Sequence, residues 1–473
     1  MQVTPENLLL EAGACEEAQV RPLYLVKKDG LAEVLPELPE PARTFAENRG
    51  FSGKTGDILL LPDAEGRIIG ALGGIGPARR PQLAHGAFAR ALPEGCWRLA
   101  STKALPCVNT AVLGWLLSAY QFDVYRKPAA QRPAQLLLPE GASRARILNL
   151  AEAVYFARNL INTPARDLGP AELEDHARTL AESADARIRV IKGAALKRGY
   201  PLIHAVGAGA SPDRAPRLIE MFWGPNDAPR VAIIGKGVCF DTGGLDLKPP
   251  SAMQLMKKDM GGAAAALALA RMIMRARLPL RLHVLIPAVE NAVSGSAMRP
   301  SDVLRSRKGL SVEVGNTDAE GRLILADALA RAAEEKPEIA FDFATLTGAA
   351  RAALGPELPA LFSTGEDIAN ALMAAGRALD DPLWHMPLWR PYLEDLKSTV
   401  ADLCNISAHG HAGAITAALF LSRFAEGIPA WVHVDLFAWN PKDKPARPKG
   451  GELQAARAVF AYLEKFVKEK GQA

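Results

Sequence analysis

The hydrophobic pattern from about residue 165 onward alternates between short apolar runs and longer amphipathic stretches. The short runs have the length of buried strands, and the longer ones have helical spacing. Strands are predicted at 229–237, 280–290, 310–314, 338–348 and 430–439, and helices at 262–276, 321–334, 413–426 and 451–468. Strands that alternate with helices are typical of an α/β protein with functional groups at the strand ends. We therefore predict a mixed β-sheet sandwiched between helices.

The first part of the chain shows a weaker pattern of the same kind. Apolar runs at 21–26, 57–62 and 67–74 are separated by glycine, proline and charged residues. This pattern predicts a smaller α/β domain over residues 1–140. A proline-containing stretch at 126–135 lies near the expected boundary.

A helix is predicted between the two domains, at 143–162. Its apolar side chains recur every three or four residues, and Pro164 marks its end. These apolar positions are Ile147, Leu150, Val154, Ala157 and Ile161. The predicted organisation is therefore an N-terminal domain at 1–140, a linking helix at 141–164 and a second domain at 165–473.

Composition and charge limit the classes of function. The 473 residues are too many for one ordinary core, and 49% of them are hydrophobic and 23% charged, as in soluble globular proteins. The net charge of +4 comes from scattered basic residues without a run of like charge, so no nucleic-acid partner is expected. No apolar stretch approaches the ~18 residues of a membrane-spanning helix, so we expect no membrane partner either.

The cysteines indicate a reducing compartment. The chain has five, Cys15, Cys96, Cys107, Cys239 and Cys404. Their number is odd, their spacing is wide, and no CxxC pair occurs. We therefore expect neither a disulfide framework nor a thiolate zinc site, and we predict a cytoplasmic location.

Two polar clusters carry the candidate chemistry, and the denser one is NTDAEGRL at 316–323. Asp318 and Glu320 stand two residues apart in a loop, so both carboxylates can turn to one side. Carboxylate oxygens suit Mg²⁺, Mn²⁺ and Zn²⁺, and bridging carboxylates are typical of two-metal sites. Taken alone, this pair is more simply explained as a solvated acidic turn.

The second cluster lies upstream and consists of Lys236, Asp241, Lys248 and Asp259. A glycine-rich turn between its members allows side chains to converge, whereas Asp259 alone is equally well explained as a helix cap. Four carboxylates and two lysines in two clusters favour a two-metal hydrolase over these separate explanations. Beside two metals a charged Lys236 would be repelled, so it either lies outside the site or binds as a neutral amine. The cations of Lys248 and Arg322 could stabilise the oxyanion that forms when water attacks a carbonyl group.

Other chemistries compete with this interpretation. His409 and His411 have chelating spacing, but they lie in a glycine-rich loop without a carboxylate, and a surface loop explains them better. His433 alternates within a strand and is expected to be a core residue. Carboxylate-bridged metals also support hydrolysis of phosphate esters, which would require more basic groups around the site.

At these residues the sequence resembles the leucine aminopeptidase (cytosol aminopeptidase) family of two-metal exopeptidases. NTDAEGRL is that family's signature and stands intact, and the segment at 235–265 matches in residue type and spacing. Segments at 162–170, 342–350 and 398–421 are also similar. The resemblance is strong over about 160–425 and weak over the first 120 residues.

The resemblance implies an activity and a set of metal ligands. It implies a metal-dependent aminopeptidase that releases N-terminal amino acids, leucine and other apolar residues among them, by attack of a metal-bridging water or hydroxide. Two divalent ions per subunit are implied, Mn²⁺ or Zn²⁺ and also Mg²⁺, with Asp241 and Glu320 bridging them. The implied ligands are Lys236, Asp241, Asp259, Asp318 and Glu320.

The resemblance also implies roles for the residues around the metals. Lys248 would polarise the substrate carbonyl group, and Arg322 would hold a bicarbonate ion as a proton shuttle, with the backbone near Leu346 and Gly348. The pocket for the N-terminal side chain would be lined by Met256, Thr345 and Gly348. The substrate would be a peptide with a free N-terminus, since its α-amine binds one metal. A homohexamer, formed as a dimer of trimers, is implied as well.

One segment departs from the family. After its HxD strand the family has small residues, whereas Phe437 and Trp439 stand here near the expected substrate cleft. The side-chain specificity therefore stays open, and Trp439 fits a core position as well as a pocket lining. Some family members also bind DNA, but the modest net charge gives that role little support.

Overall fold

The structure, a computed structural model, describes residues 3–127 and 131–471, and its backbone contacts divide it into two units. The first contains the chain up to Tyr155 together with Arg377–Asp380 and Lys442–Lys449, and the second contains the remainder. The division falls within the helix Arg144–Asn162. Residues 128–130 of the stretch at 126–135 lie outside the described residues.

The first unit is built on a mixed sheet that has six strands in the described part of the chain. In spatial order they are Leu9–Leu10, Gln135–Leu137, Cys96–Leu99, Arg21–Lys27, Ile68–Gly76 and Ile58–Pro62. The last two are antiparallel and the other neighbours are parallel. The accompanying helices are Pro5–Leu8, Leu31–Val34, Glu40–Arg49 and Val108–Ser118. The three apolar runs of the sequence form three of these strands.

Apolar burial explains how a helix is held on this sheet. Val26, Leu61 and Leu72 point from neighbouring strands into one core, where Ala42 and Ala46 of the helix Glu40–Arg49 meet them. Alternate strand residues face the same side, so each strand gives this core every second side chain. Small alanines on the helix allow close approach to the sheet.

The expectation that no cysteines pair is wrong for Cys15 and Cys96, which form a disulfide within the first unit. Eighty-one positions separate them in sequence, so spacing gave no signal. Cys96 begins a strand that pairs with Arg21–Lys27, and Cys15 lies in the segment leading into that neighbour. Cys107, Cys239 and Cys404 are free thiols.

The second unit is built on a mixed sheet with nine strands among the residues described. Its order is Trp384–His385, Ala360–Ser363, Ala430–Asp435, Ile339–Ala344, Arg230–Gly235, Arg281–Asn291, Arg217–Trp223 and Arg187–Lys192, and Gly237–Asp241 also pairs with Arg281–Asn291. The four consecutive strands from Ala430–Asp435 to Arg281–Asn291 are parallel. The next strands outward, Arg217–Trp223 and Ala360–Ser363, are antiparallel to their inner neighbours.

Helices cover both faces of this sheet. Ala340 packs in one core with Leu325 and Leu329 of the helix Glu320–Glu334. The next strand residue, Phe341, faces the other way and contacts Tyr462 of the helix Ala456–Lys470 at 6.0 Å between ring centroids. The other helices are Pro170–Glu182, Gly193–Gly199, Pro201–Val206, Pro250–Met253, Gly261–Arg275, Gly348–Leu354, Glu366–Ala378 and Gly413–Ser422. The predicted fold class, a sheet sandwiched between helices beside a smaller α/β domain, is confirmed.

Several predicted element limits need correction. The strand expected at 430–439 ends at Asp435, because Ala438 adopts a left-handed φ of 57° and the chain turns out of the sheet. Trp439–Asn440 then pairs with Gly450–Gly451, so the last helix begins at Ala456 rather than at 451. Ser311–Glu313 lies outside the large sheet and pairs with Val303–Arg305 and Leu403–Cys404. Among the described residues, no helix combines the length and apolarity needed to cross a bilayer.

Candidate active site and metal centre

The carboxyl ends of the central parallel strands bring the first site residues together. Lys236 follows the strand Arg230–Gly235, and Thr345 follows the neighbouring strand Ile339–Ala344. Asp435 is the last residue of the next strand in the sheet. Asp241 ends the strand Gly237–Asp241, beside Asn291. Ligand sites in α/β sheets form at such ends, because side chains from neighbouring strands leave the sheet at the same edge.

A cavity of about 530 Å³ opens at this edge of the sheet. Its lining includes ten of the residues to which the sequence assigns a role, namely Lys236, Asp241, Lys248, Met256, Asp259, Asp318, Arg322, Thr345, Leu346 and Gly348. The eleventh, Glu320, is buried, with only 1% of its surface exposed, and it ion-pairs with Lys236. Two clusters about 60–80 residues apart in sequence thus form one site.

Three buried carboxylates lie at the centre of the site. Ligand atoms of Asp241, Asp259 and Glu320 all lie within 4.8 Å of one another. Lys236 stands among them, with its Nζ 2.8 Å from Asp259 Oδ2 and 2.9 Å from Glu320 Oε1. The amine also donates to the carbonyl oxygen of Thr345 at 3.0 Å. Lys236 therefore lies inside the site. Of the two alternatives left open by the sequence, a position outside the site is the one that the structure does not show.

The donor set of this centre fits a divalent metal. Asp259 Oδ2 and both carboxylate oxygens of Glu320 are buried and accept no well-aligned hydrogen bond, although Lys236 Nζ is near enough for an ion pair. Buried carboxylate oxygens without such a donor are costly unless a cation binds them. Oxygen ligands in this number suit Mn²⁺, Mg²⁺ and Zn²⁺. The structure therefore contains a buried acidic metal site.

The pKa values of the centre reflect this crowding. Burial, together with the charges of Asp241 and Asp259, raises the pKa of the Glu320 carboxyl group well above its ordinary value. Burial alone would lower the pKa of the Lys236 amine, but the surrounding carboxylates have the larger effect and raise this pKa. The negative charge is thus excessive for one lysine, and further positive charge would stabilise the site.

A glycine permits the close contact between the two clusters. A Cβ atom on Gly321 would lie 2.7 Å from both Nζ and Cε of Lys236. Gly321 is the second residue of the helix Glu320–Glu334, and any side chain there would push Lys236 away from Glu320. The glycine within NTDAEGRL is therefore required by packing rather than by backbone conformation.

Lys248 joins the remaining predicted ligands. Its Nζ lies 2.9 Å from Asp241 Oδ2 and also forms an ion pair with Asp318 Oδ1. Asp318 is exposed and lies outside the group of three central carboxylates. The two aspartates raise the pKa of Lys248, outweighing its burial, so its ammonium group stays charged at the cavity wall.

Arg322 lies on another wall of the cavity and contacts no central carboxylate. Its Nη1 donates to the carbonyl oxygen of Asn405 at 2.7 Å, whereas its buried Nε makes no hydrogen bond within the described chain. Burial lowers its pKa to about 10, so the guanidinium remains charged near neutral pH. A buried cation with an unused donor is suited to an anion.

Further residues hold the site in place, and of these only Thr345 was predicted, as part of the side-chain pocket. Asn291 Nδ2 donates to Asp241 Oδ1 at 2.9 Å, and Thr345 Oγ1 donates to Asp259 Oδ1 at 2.7 Å. Asp435 accepts hydrogen bonds from the backbone N–H groups of Leu346 and Thr347. Asn291 had one signal, since it ends a strand parallel to the one before Lys236. Asn405, which orients Arg322, had none.

Of the histidines and aromatic residues that the sequence left open, only Phe437 lines the cavity. His409 and His411 are exposed and absent from the cavity lining, so this loop is a surface loop. His433 is buried in the sheet, with Nδ1 2.5 Å from Asp342 Oδ1. Phe437 lines the cavity, whereas Trp439 does not and contacts Lys257 instead.

Comparison with known proteins is consistent with this geometry. Residues 155–460 match the profile "Cytosol aminopeptidase family, catalytic domain", and residues 21–139 match "M17 aminopeptidase, N-terminal domain". A protein of Mycobacterium bovis named "Probable cytosol aminopeptidase" is 39% identical, over 83% of this chain and 80% of its own.

Two solved structures are similar over nearly the whole chain. The crystal structure of the cytosol aminopeptidase from Coxiella burnetii is 44% identical with a TM-score of 0.92, and the match covers 97% of this chain and 99% of that one. The bottromycin maturation enzyme BotP, in complex with Mn, is 33% identical with a TM-score of 0.84, over 95% of this chain and 100% of its own. A relative with the same fold thus binds manganese.

Proposed function

Because this chain belongs to the cytosol aminopeptidase family and is a metallo-exopeptidase hydrolase, we propose that it releases N-terminal amino acids from peptides with a free N-terminus. Leucine and other apolar residues are the proposed N-terminal residues, and the first peptide bond is the one cleaved. The observation that carries the proposal is the group of three buried carboxylates around Lys236 beside a cavity of about 530 Å³.

The proposal assigns two divalent ions to the site. Their ligands would be Lys236 as a neutral amine, Asp241, Asp259, Asp318 and Glu320, with Asp241 and Glu320 shared between the ions. Bound divalent ions polarise a carbonyl group and lower the pKa of water. Lys236 can serve only after it loses its proton, so the ion must displace the ammonium charge that now balances Asp259 and Glu320.

Lys248 and Arg322 act beside the metals in this proposal. Lys248 is held by Asp241 and Asp318 at the cavity wall, where its charge stabilises the negative charge that develops on the oxygen of the scissile carbonyl group. Arg322 would hold a bicarbonate ion near the backbone of Leu346 and Gly348, and this ion would carry a proton to the departing amine. The unused Nε of Arg322 supports that role.

The wider organisation follows the family in this proposal. Residues 1–140 would be a non-catalytic domain, joined by 141–164 to the catalytic domain at 165–473. The subunits would assemble as a homohexamer, a dimer of trimers, in the cytoplasm. Relatives named cytosol aminopeptidases support the location.

Removal and return of metal should switch the activity off and on. We expect leucine amide and leucyl dipeptides to be cleaved after Mn²⁺ or Zn²⁺ is added to chelated protein, and not before. N-acetyl-leucine amide should stay intact under every condition, because an acetylated amine cannot bind a metal. Release of the amino acid is measured by chromatography.

The blocked substrate also serves as the control for contaminating endopeptidases. Cleavage of N-acetyl-leucine amide at a rate comparable to that of leucine amide would contradict an exopeptidase. Full activity in the chelated protein, with metal shown absent by elemental analysis, would contradict a metal-dependent one.

A further inference from the structure

Two cations lie over one aromatic ring at the cavity wall. Lys258 Nζ is 4.6 Å from the centroid of the Phe437 ring, and Arg351 Cζ is 5.0 Å from the same centroid. All three residues line the cavity that holds the metal site. Phe437 stands where the sequence predicts the substrate cleft, and none of the three residues is a proposed metal ligand.

Neither cation has an anionic partner. Within residues 3–127 and 131–471, the side chains of Lys258 and Arg351 make no hydrogen bond and no ion pair. Lys258 is nevertheless only 4% exposed. A buried ammonium group without a carboxylate is unfavourable, and the face of one aromatic ring compensates for this only in part.

The nearest carboxylates are already engaged elsewhere. Asp259 is bound to Lys236 and to the Thr345 hydroxyl, and Asp435 accepts hydrogen bonds from Leu346 and Thr347. Burial lowers the pKa of Lys258 to about 8, and these two carboxylates attract its charged form without pairing with it. The excess of positive charge at this wall is therefore available to an anion that enters the cavity.

The position of the pair relates it to the N-terminal side chain of the substrate. Met256 and Lys258 belong to the same short 3₁₀ helix, Met256–Met260. On the opposite segment, a Cβ atom on Gly348 would lie 3.8 Å from Arg351 Nη2. Met256 and Gly348 are residues proposed to line the side-chain pocket, so the two cations adjoin that pocket.

We propose that Lys258 and Arg351, held over Phe437, bind a substrate carboxylate, so that the enzyme accepts N-terminal glutamate and aspartate and rejects N-terminal lysine and arginine. This inference rests on the proposed aminopeptidase function. The side chain of the N-terminal residue is one source of the carboxylate, and the C-terminal carboxylate of a dipeptide is the other.

The test compares substrates that differ in one charge. The ratio of kcat/KM for glutamate amide to that for its neutral isostere glutamine amide should be about ten or more, as expected for hydrogen bonds to charged groups. Lys258→Met and Arg351→Met should each reduce this ratio towards one. Arg351 is exposed, so its variant keeps the test decisive if Lys258→Met fails to fold.

Lys257→Met is the matched control, because Lys257 is adjacent in sequence but lies over Trp439 outside the cavity. This variant should keep the ratio of the unchanged protein. A second pair, leucyl-glycine and leucyl-glycine amide, identifies the source of the carboxylate. If this pair shows the charge preference and the glutamate pair does not, the two cations bind the C-terminal carboxylate.

Failure of this inference differs from failure of the proposed function. Cleavage of leucine amide with both charge ratios near one, or with ratios unaffected by the two variants, overturns the carboxylate site alone. Should the protein cleave no amide, calorimetric titration with L-glutamate and L-glutamine decides. Tighter binding of glutamate that is lost in Arg351→Met supports the site, and equal binding overturns it.

Discussion

Replacing Glu320 by alanine is expected to abolish hydrolysis of leucine amide, with turnover lowered at least about 10³-fold. Glu320 is buried at the N-terminal end of its helix, pairs with Lys236 and offers two oxygens without well-aligned hydrogen bonds. Its loss removes a shared ligand, so less metal should remain bound per subunit. Turnover is measured with added Mn²⁺, and bound metal by elemental analysis after gel filtration.

The Glu320→Ala protein should stay folded. Lys236 keeps Asp259 as a partner at 2.8 Å, and three crowded carboxylates become two. Glu334→Ala is the matched control, since it makes the same change at the far end of the same helix, where the side chain pairs with Arg307 and is half exposed. Turnover near the unchanged rate in Glu320→Ala, with full metal content, would show that the metal assignment is wrong.

Arg322→Ala is expected to lower kcat about 10²-fold while the metal content stays unchanged. The guanidinium touches none of the three central carboxylates and is held by the carbonyl oxygen of Asn405. Its proposed part is to hold the anion that moves a proton, and loss of such a group typically costs 10²-fold or more. In buffer freed of carbon dioxide, added bicarbonate should accelerate the unchanged enzyme and leave this variant unaffected.

Arg322→Lys tests whether charge alone is enough. A lysine keeps the positive charge but not the planar donors that bind an oxyanion in pairs, so only partial recovery of kcat is expected. An Arg322→Ala protein that has lost its metal would contradict the role given to Arg322. So would an equal response to bicarbonate in the variant and the unchanged protein.

The sequence predicted the metal centre better than its surroundings. Asp241, Asp259 and Glu320 carry charge in segments otherwise rich in apolar residues and glycine, and burial of charge is informative because it is costly. The alternation of strands and helices then placed Lys236 at a strand end. Nothing in the pattern showed that Gly321 must lack a side chain to admit Lys236, since that depends on a contact between distant segments.

The sequence pattern did not predict that Lys258 and Arg351 lie together over Phe437, since this depends on contacts between distant segments. Lys258 stands in a run with Lys257 and looks like a solvated pair, yet one amine is over Phe437 in the cavity and the other is over Trp439 outside it. Arg351 is nearly a hundred positions from Lys258 in sequence. On sequence grounds Phe437 and Trp439 were expected near the substrate cleft, but the pattern did not show which amine contacts which ring.

Local turns limited the prediction of element ends. The run at 430–439 continues with Leu436 and Phe437 beyond Asp435, so its pattern does not show that the strand stops at this aspartate. The left-handed backbone at Ala438 is not typical of alanine either. The final helix was predicted to begin at 451, five residues too early, because the group that caps its actual N-terminus comes from a distant segment. The carboxylate of Asp381 accepts hydrogen bonds from the backbone N–H groups of Ala455, Arg457 and Ala458.

The state of the Cys15–Cys96 disulfide, open or closed, reports whether the protein works in a reducing or an oxidising compartment. Glutathione and thioredoxin keep most thiols reduced in a cytosol, whereas secreted proteins keep their disulfides. Protein denatured and alkylated at once on cell lysis would carry five labels if this pair is open in the cell and three if it is closed, since Cys107, Cys239 and Cys404 are free thiols. The mass of one intact chain would thus report its native compartment without microscopy or fractionation.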